Sequence, residues 1–221
     1  MSHRRDVVLM ARAPEPGRTK TRLIPDLGEE RVASLADAML RDTLLLTAQD
    51  DSVQLHIAMD QQGDAAYFSA AAPEANLFPQ RGETFGERLA NAMCDITGPD
   101  NHVVALGTDC PHMPVKVLTT AWDRLAAGRC DVVLGPAADG GYYLIGWSHP
   151  YPEIIVPIEM STPRVLTDTT EMADRLGITV SLLDTHFDID DIDDVRRLAR
   201  LFAASTGGAE FSRSVLDRLR L

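Results

Sequence analysis

The sequence predicts an α/β fold in which a mostly parallel central sheet lies between two layers of helices. Three observations predict it. Short apolar runs rich in β-branched residues alternate with longer amphipathic stretches along the whole 221-residue chain. No internal repeat or low-complexity linker breaks that alternation. The composition, 45% hydrophobic and 24% charged, is that of an ordinary globular protein long enough to bury a full core. Residues 1–203 are expected to form one domain. The Gly-rich joint "ASTGGAE" (204–210) then leads into a helical extension over 204–221 that packs on the body.

Each element is read from its own pattern. "DVVLMA" (6–11) reads as a buried strand, and 29–49 as a helix with its apolar stripe on Val32, Leu35, Met39 and Leu46. "VQLHIAM" (53–59) is a second strand, "GDAAYFSAA" (63–71) a short helix and "NLFPQ" (76–80) a short edge strand. A helix over 84–96 precedes the strand "HVVALGT" (102–108), and a helix over 115–128 ends at Gly128. "DVVLGPAADGGYYLIGW" (131–147) carries two strands around a Gly turn. A helix over 163–176, the strand "ITVSLL" (178–183) and a helix over 191–203 complete the domain.

Charge narrows the function classes. The net charge of −12 and pI near 4.8 argue against a broad basic face for nucleic acid or a membrane surface. Cys94, Cys110 and Cys130 have no CxxC spacing, which points to free thiols rather than disulfides or a structural zinc. The N-terminal apolar run is too short for a signal peptide, and a cytoplasmic protein is expected.

Against this acidic background, "ARAPEPGRTKTRLIP" (11–25) gathers Arg12, Arg18, Lys20 and Arg22 directly after the first strand. It is not a Walker A loop, because Pro14 and Thr19 stand where that motif needs glycines. A Pro- and Gly-shaped loop around Gly17 that presents guanidinium and ammonium groups suits phosphate oxygens. The plain alternative is a solvated loop with Arg22 lying along the next helix. Loops that follow strands of an open parallel sheet share one ligand-binding rim, and three unusual loops fall there. "ALGTDCP" sets Asp109 just past a strand, where a carboxylate can hold Mg²⁺ or Mn²⁺ with substrate phosphates or can simply stabilise a turn. "DIDDIDD" (188–194) supplies Asp188 as a second metal ligand, the other aspartates being read as helix caps. Asp139, Gly140 and Gly141 form a tight turn able to approach a sugar or acceptor. Gln80, Arg81, Gly82, Gly86 and Arg88 precede and open a helix, where a base or phosphate could be met.

Taken in order, "MARAPEPGRTKTRL", "GTDCPHMP", "DVVLGPAADGGYYLIG", "STPRVLTDT" and "DIDDIDDVRRL" resemble a bacterial family of GT-A-like transferases. That family was long labelled a domain of unknown function. Some members are named as glycosyltransferases linked to arsenosugar biosynthesis or to radical-SAM gene neighbourhoods. The resemblance runs from about residue 6 to 202. The family is similar to the nucleotide-diphospho-sugar transferase superfamily, which also holds phospholactate and molybdopterin guanylyltransferases. The resemblance implies a Rossmann-like three-layer α/β/α sandwich that binds a nucleotide over the carboxyl ends of the strands. By motif position Arg12, Lys20 and Arg22 meet the phosphates, while Asp109 and Asp188 take the metal positions. Pro111 stands where glycosyltransferases of this fold carry the second Asp of D-x-D. Met160 replaces a Trp, and Asp191 replaces a Thr.

The reading is a Mg²⁺- or Mn²⁺-dependent glycosyltransferase acting from a nucleoside-diphosphate sugar. Lys20, Asp109 and Asp139 are its catalytic candidates, and Arg12, Gly17, Arg18, Lys20, Arg22, Gln80 and Arg88 its nucleotide contacts. Its partners are a nucleotide or nucleotide sugar and a small-molecule acceptor, with a homodimer as an allowed assembly. A nucleotidyltransferase that releases pyrophosphate is the alternative enzyme. A nucleotide-binding module without turnover is the alternative outside enzymes.

Overall fold

The structure, a computed structural model, describes residues 3–60 and 65–219. Seven strands form one sheet: β1 (Arg4–Ala11), β2 (Val53–Met59), β3 (Asn76–Pro79), β4 (Asn101–Leu106), β5 (Val132–Pro136), β6 (Tyr142–Trp147) and β7 (Val180–Leu182). Their order is β3-β2-β1-β4-β6-β5-β7. Only β6 runs against its neighbours β4 and β5; the other pairs are parallel. The helices are α1 (Ile24–Leu27), α2 (Glu29–Thr47), α3 (Ala65–Ala71), α4 (Phe85–Ile96), α5 (Lys116–Ala126), α6 (Val165–Arg175), α7 (Ile192–Ala203) and α8 (Glu210–Leu219).

Strand alternation assigns the two faces. Val7 and Leu9 of β1 join Leu44, Phe68 and Trp122 from α2, α3 and α5, whereas Val8 joins Leu89, Met93 and Ala173 from α4 and α6. Both faces are covered, so β1 reads as a continuous apolar run. On α2 the expected stripe broadens. Val32, Leu35 and Met39 turn outward to Phe187, Val195 and Leu198, while Leu40 and Leu44 face the sheet. Leu46, expected in the stripe, is only half-buried, and Leu44 holds the core position.

β3 lies at the sheet edge, as its short polar-flanked sequence predicts. The short helix begins at Ala65; Gly63 and Asp64, expected to open it, lie outside the described residues, as do Arg220 and Leu221, expected in the C-terminal extension. α8 docks on α2 and α7 through Val215 and Leu216. Asp42 of α2 accepts the N–H groups of Phe211 (3.0 Å) and Ser212 (2.8 Å) and so satisfies the otherwise orphaned start of that helix. Among the described residues no helix is long and apolar enough to cross a membrane. Cys94, Cys110 and Cys130 are free thiols.

Candidate functional site

Four segments meet at the carboxyl ends of the parallel strands: the loops after β1 and β4, the turn between β5 and β6, and the stretch before α7. The first is held by Leu23, fully buried against Phe187 and Ile189 of the last. Apolar packing thereby brings Lys20 to the acidic segment. Lys20 adopts a left-handed backbone, φ 44° and ψ 52°. Its ammonium lies 3.1 Å from Asp109 Oδ1, 3.4 Å from Asp190 Oδ1 and 2.5 Å from the Ile189 carbonyl, to which it donates. Its side chain is only 9% exposed. Burial opposes the charge, but the carboxylates of Asp109 and Asp190 outweigh it and hold the Lys20 pKa above the ordinary lysine value.

Asp190 corrects the sequence reading, which took it for a helix cap. It pairs with Lys20 and, at 3.7 Å, with the exposed Arg22. The cap of α7 is Asp191, which accepts from the N–H groups of Asp193 and Asp194. Asp194 reaches back to the N–H groups of Asp190 and Asp191, and Asp193 pairs with Arg196.

Asp188 is half-buried and accepts a hydrogen bond from the Cys110 thiol, Sγ to Oδ1 2.9 Å; the same thiol lies 3.1 Å from the Phe187 carbonyl. Burial pushes the Asp188 pKa up to about 6, and the charges of Asp109, Asp139 and Asp190 add to that, while the Cys110 hydrogen bond opposes it. The sequence reading treated Cys110 as an inert thiol. Its place between Asp109 and Pro111 makes it the residue that holds the second carboxylate. Cys110→Ala should raise the Asp188 pKa further and Cys110→Ser should largely restore it, as read by carboxyl-selective NMR titration; an unmoved Asp188 in the Ala variant would refute this role.

The β5–β6 turn is fixed by an Asx arrangement in which Asp139 Oδ1 accepts from the Gly141 N–H at 2.9 Å. Gly140 has φ +93°, and a Cβ there would lie 2.1 Å from the Pro163 carbonyl oxygen. The close approach that the glycine permits is therefore to the chain's own 161–164 segment, not to a ligand. Gly140→Ala should destabilise the fold by about 2 kcal/mol or more in denaturant unfolding; a wild-type midpoint would contradict the packing.

Two clefts flank the basic loop and share Met10 and Arg12. One, of about 250 Å³, is lined by Arg18, Lys20 and Asp109 among others; the second, of about 540 Å³, by Asp60, Gln80, Glu83, Phe85 and Arg88. Arg12 binds Asp60, its Nε donating at 2.6 Å. Arg18 pairs with Glu15 at 2.7 Å, and Gly17, at φ +77°, lies against the Glu29 carboxylate. Gln80 is buried and its amide is engaged at both ends: it donates to the Ala58 carbonyl (2.9 Å) and accepts from Arg88 Nε (3.2 Å). It therefore steers Arg88 at the edge of the cleft that both residues line. Arg88 Nη1 also donates to the Glu83 carbonyl at 2.9 Å. Arg81 turns away to Asp95, Gly82 lines the larger cleft, and buried Gly86 lies under the Ile155 carbonyl.

Among the described residues, no group of three or more His, Cys, Asp or Glu side chains is disposed to hold a metal ion. Asp109 and Asp188 nevertheless fit a site of the kind that Mg²⁺ or Mn²⁺ forms with few protein oxygens, completed by water and substrate phosphate. The four carboxylates of Asp109, Asp139, Asp188 and Asp190 exceed the charge of Lys20 and Arg22, and a divalent cation would relieve that excess.

A model of a bacterial protein family described as "Uncharacterized protein conserved in bacteria (DUF2064)" matches residues 43–162. The basic loop and Asp188 lie outside that segment. A Desulfovibrio desulfuricans protein, provisionally named a nucleotide-diphospho-sugar transferase, is 30% identical; the match covers 99% of this chain and 97% of that one, with a TM-score of 0.88. A cytidylyltransferase from Leptospira borgpetersenii is 15% identical over 98% of this chain and 93% of its own, with a TM-score of 0.62. A Mycobacterium tuberculosis protein solved with manganese is 19% identical over 89% and 98%, with a TM-score of 0.52. No curated protein matches the chain. The fold is thus the Rossmann-like sandwich that the motif resemblance implies. With a family match over more than half its length, this chain belongs to the DUF2064 family of bacterial proteins.

Proposed function

We propose that this protein is a divalent-metal-dependent transferase that uses a nucleotide-activated substrate, in the first place a glycosyltransferase acting from a nucleoside-diphosphate sugar. The observation that carries the reading is the meeting of the buried Lys20 ammonium with Asp109 beside a cleft lined by Arg12 and Arg18. Its relatives of the same fold include a provisionally named nucleotide-diphospho-sugar transferase and a cytidylyltransferase, which supports a nucleotide-activated substrate.

In this reading Arg12 and Arg18 exchange their carboxylate partners for phosphate oxygens. Lys20, kept cationic by Asp109 and Asp190, neutralises negative charge that develops on the leaving diphosphate. Arg22, exposed beside Asp190, adds to that field. Asp109 and Asp188 would hold Mg²⁺ or Mn²⁺, which when bound supplies further charge neutralisation at the phosphates. Asp139 orients the sugar or acceptor. Arg88, fixed by Gln80 and Glu83, faces the part of the nucleotide beyond the phosphates.

One observation favours nucleotidyl transfer as a second reading. The carboxylate pair comes from two separate loops, Asp109 and Asp188, and Pro111 occupies the place of a second Asp in the same loop. Incubation with nucleoside triphosphates and nucleotide sugars plus Mn²⁺ separates the readings. Free nucleoside diphosphate without pyrophosphate supports glycosyl transfer, and pyrophosphate supports nucleotidyl transfer. Tight binding without turnover leaves a binding module, and failure to bind any nucleotide overturns all three.

A further inference from the structure

We propose that Lys20 is a built-in counter-ion of the carboxylate cluster, and that a divalent cation gains Asp109 only as nucleotide phosphates draw the ammonium away. This rests on the reading above and adds an order of binding to it. The ammonium lies 3.1 Å from Oδ1 of Asp109, one of the two carboxylates that would hold the metal. It is also anchored to the Ile189 carbonyl at 2.5 Å and to Asp190 at 3.4 Å. This is no loosely placed surface amine: the side chain is 9% exposed, on one of only two lysines in the chain. Arg22, by contrast, is 80% exposed at the rim of the same acids.

A lysine ammonium and a divalent cation are both compact, oxygen-seeking charges, so they compete for one carboxylate oxygen and repel each other when both are near it. Lysine has a flexible four-carbon stem. The cleft lined by Lys20, Arg12 and Arg18 adjoins its present position, so a change of rotamer can carry the charge toward bound phosphates while the backbone stays in place. Removing the ammonium from Asp109 leaves the cluster short of positive charge and raises its affinity for a divalent ion. Linkage then requires the reciprocal effect: the metal tightens phosphate binding by the same factor.

The test measures Mn²⁺ affinity by electron paramagnetic resonance, with and without inorganic pyrophosphate, for the wild type, Lys20→Met and Lys20→Gln. The glutamine variant can still donate to the Ile189 carbonyl and guards against a packing defect in the methionine variant. Without pyrophosphate, both neutral variants should bind Mn²⁺ about tenfold more tightly than the wild type, within the usual range for coupled sites. Because phosphate oxygens also ligate the metal, pyrophosphate should tighten Mn²⁺ on all three proteins, but by a further factor of about ten on the wild type, where it also draws off the ammonium. Unchanged or weaker Mn²⁺ binding by folded variants overturns the competition while leaving the transferase reading standing. If Mn²⁺ binds none of the three proteins under either condition, the metal-dependent reading falls, and the competition falls with it.

Discussion

Lys20→Ala is expected to lower turnover of a nucleotide-activated substrate by roughly 100- to 1000-fold, the cost of removing one preorganised charge from a developing anion. The backbone there is left-handed, and the side chain bridges the loop after β1 to the stretch before α7. The loss should nevertheless be catalytic more than structural. The side chains it leaves behind, Asp109 and Asp190, are 42% and 44% exposed and can be solvated. The Ile189 carbonyl loses its donor, so the stability change should be about 1–2 kcal/mol, small beside the loss of turnover. Steady-state kinetics beside a thermal melt would show the split; wild-type turnover, or a variant that is merely unfolded, would refute the role.

The largest effect on stability is expected at Asp6. Its fully buried carboxylate sits on the interior strand β1 and accepts from His56 on β2 (2.8 Å), Asn101 on β4 (2.7 Å) and Arg4 (2.8 Å). It joins the three adjacent strands β2, β1 and β4 by side-chain bonds in addition to their backbone ladders. Asp6→Ala leaves His56 Nε2 without a partner in the interior and removes one bond from the Asn101 amide, which keeps those to Ile96 and Gly98, and should cost about 3 kcal/mol. Burial alone would raise the Asp6 pKa, but the bonds from His56, Arg4 and Asn101 prevail and hold it below 3.8. A carboxylate depressed in the folded state stabilises at pH values above its unfolded pKa. That stabilisation is lost as pH falls through the folded value. The wild type should therefore lose stability below about pH 4 more steeply than Asp6→Ala. Parallel acid-side dependences in chemical denaturation would show that Asp6 is not the linked group.

Much of the fold was legible because its strands and helices carry different periods. β2 was read to the residue, and α4 and α7 begin immediately after Thr84 and Asp191, the N-caps of full capping boxes. Strand order was not legible, since nothing in "HVVAL" announces that β6, forty residues later, will pair beside it rather than β5. The site divides in the same way. Lys20 and Asp109 stood out by charge after a strand, and the structure brings them together. Asp190 was hidden among five aspartates, although in extended chain the alternation of "DID" sets Asp188 and Asp190 on a common face. The link from Cys110 to Asp188 spans 78 residues and depends on the depth at which two loops pack, which no local pattern encodes.

The reversed strand β6 has one more consequence. A parallel partner would need a crossover of a dozen or more residues, whereas β5 and β6 are joined by residues 137–141 alone. Asp139 therefore rides on a short tether clamped by a ladder at both ends, with Gly140 wedged under Pro163. The loop that carries Arg12 to Arg22 is long and is tied down at separate points, by Arg12 to Asp60, by buried Ala13 and Leu23 and by Lys20. The rim thus has one fixed jaw and one adjustable jaw. Insertions and new side chains can be accommodated in the loop after β1 without disturbing the sheet, while the opposite side keeps its span.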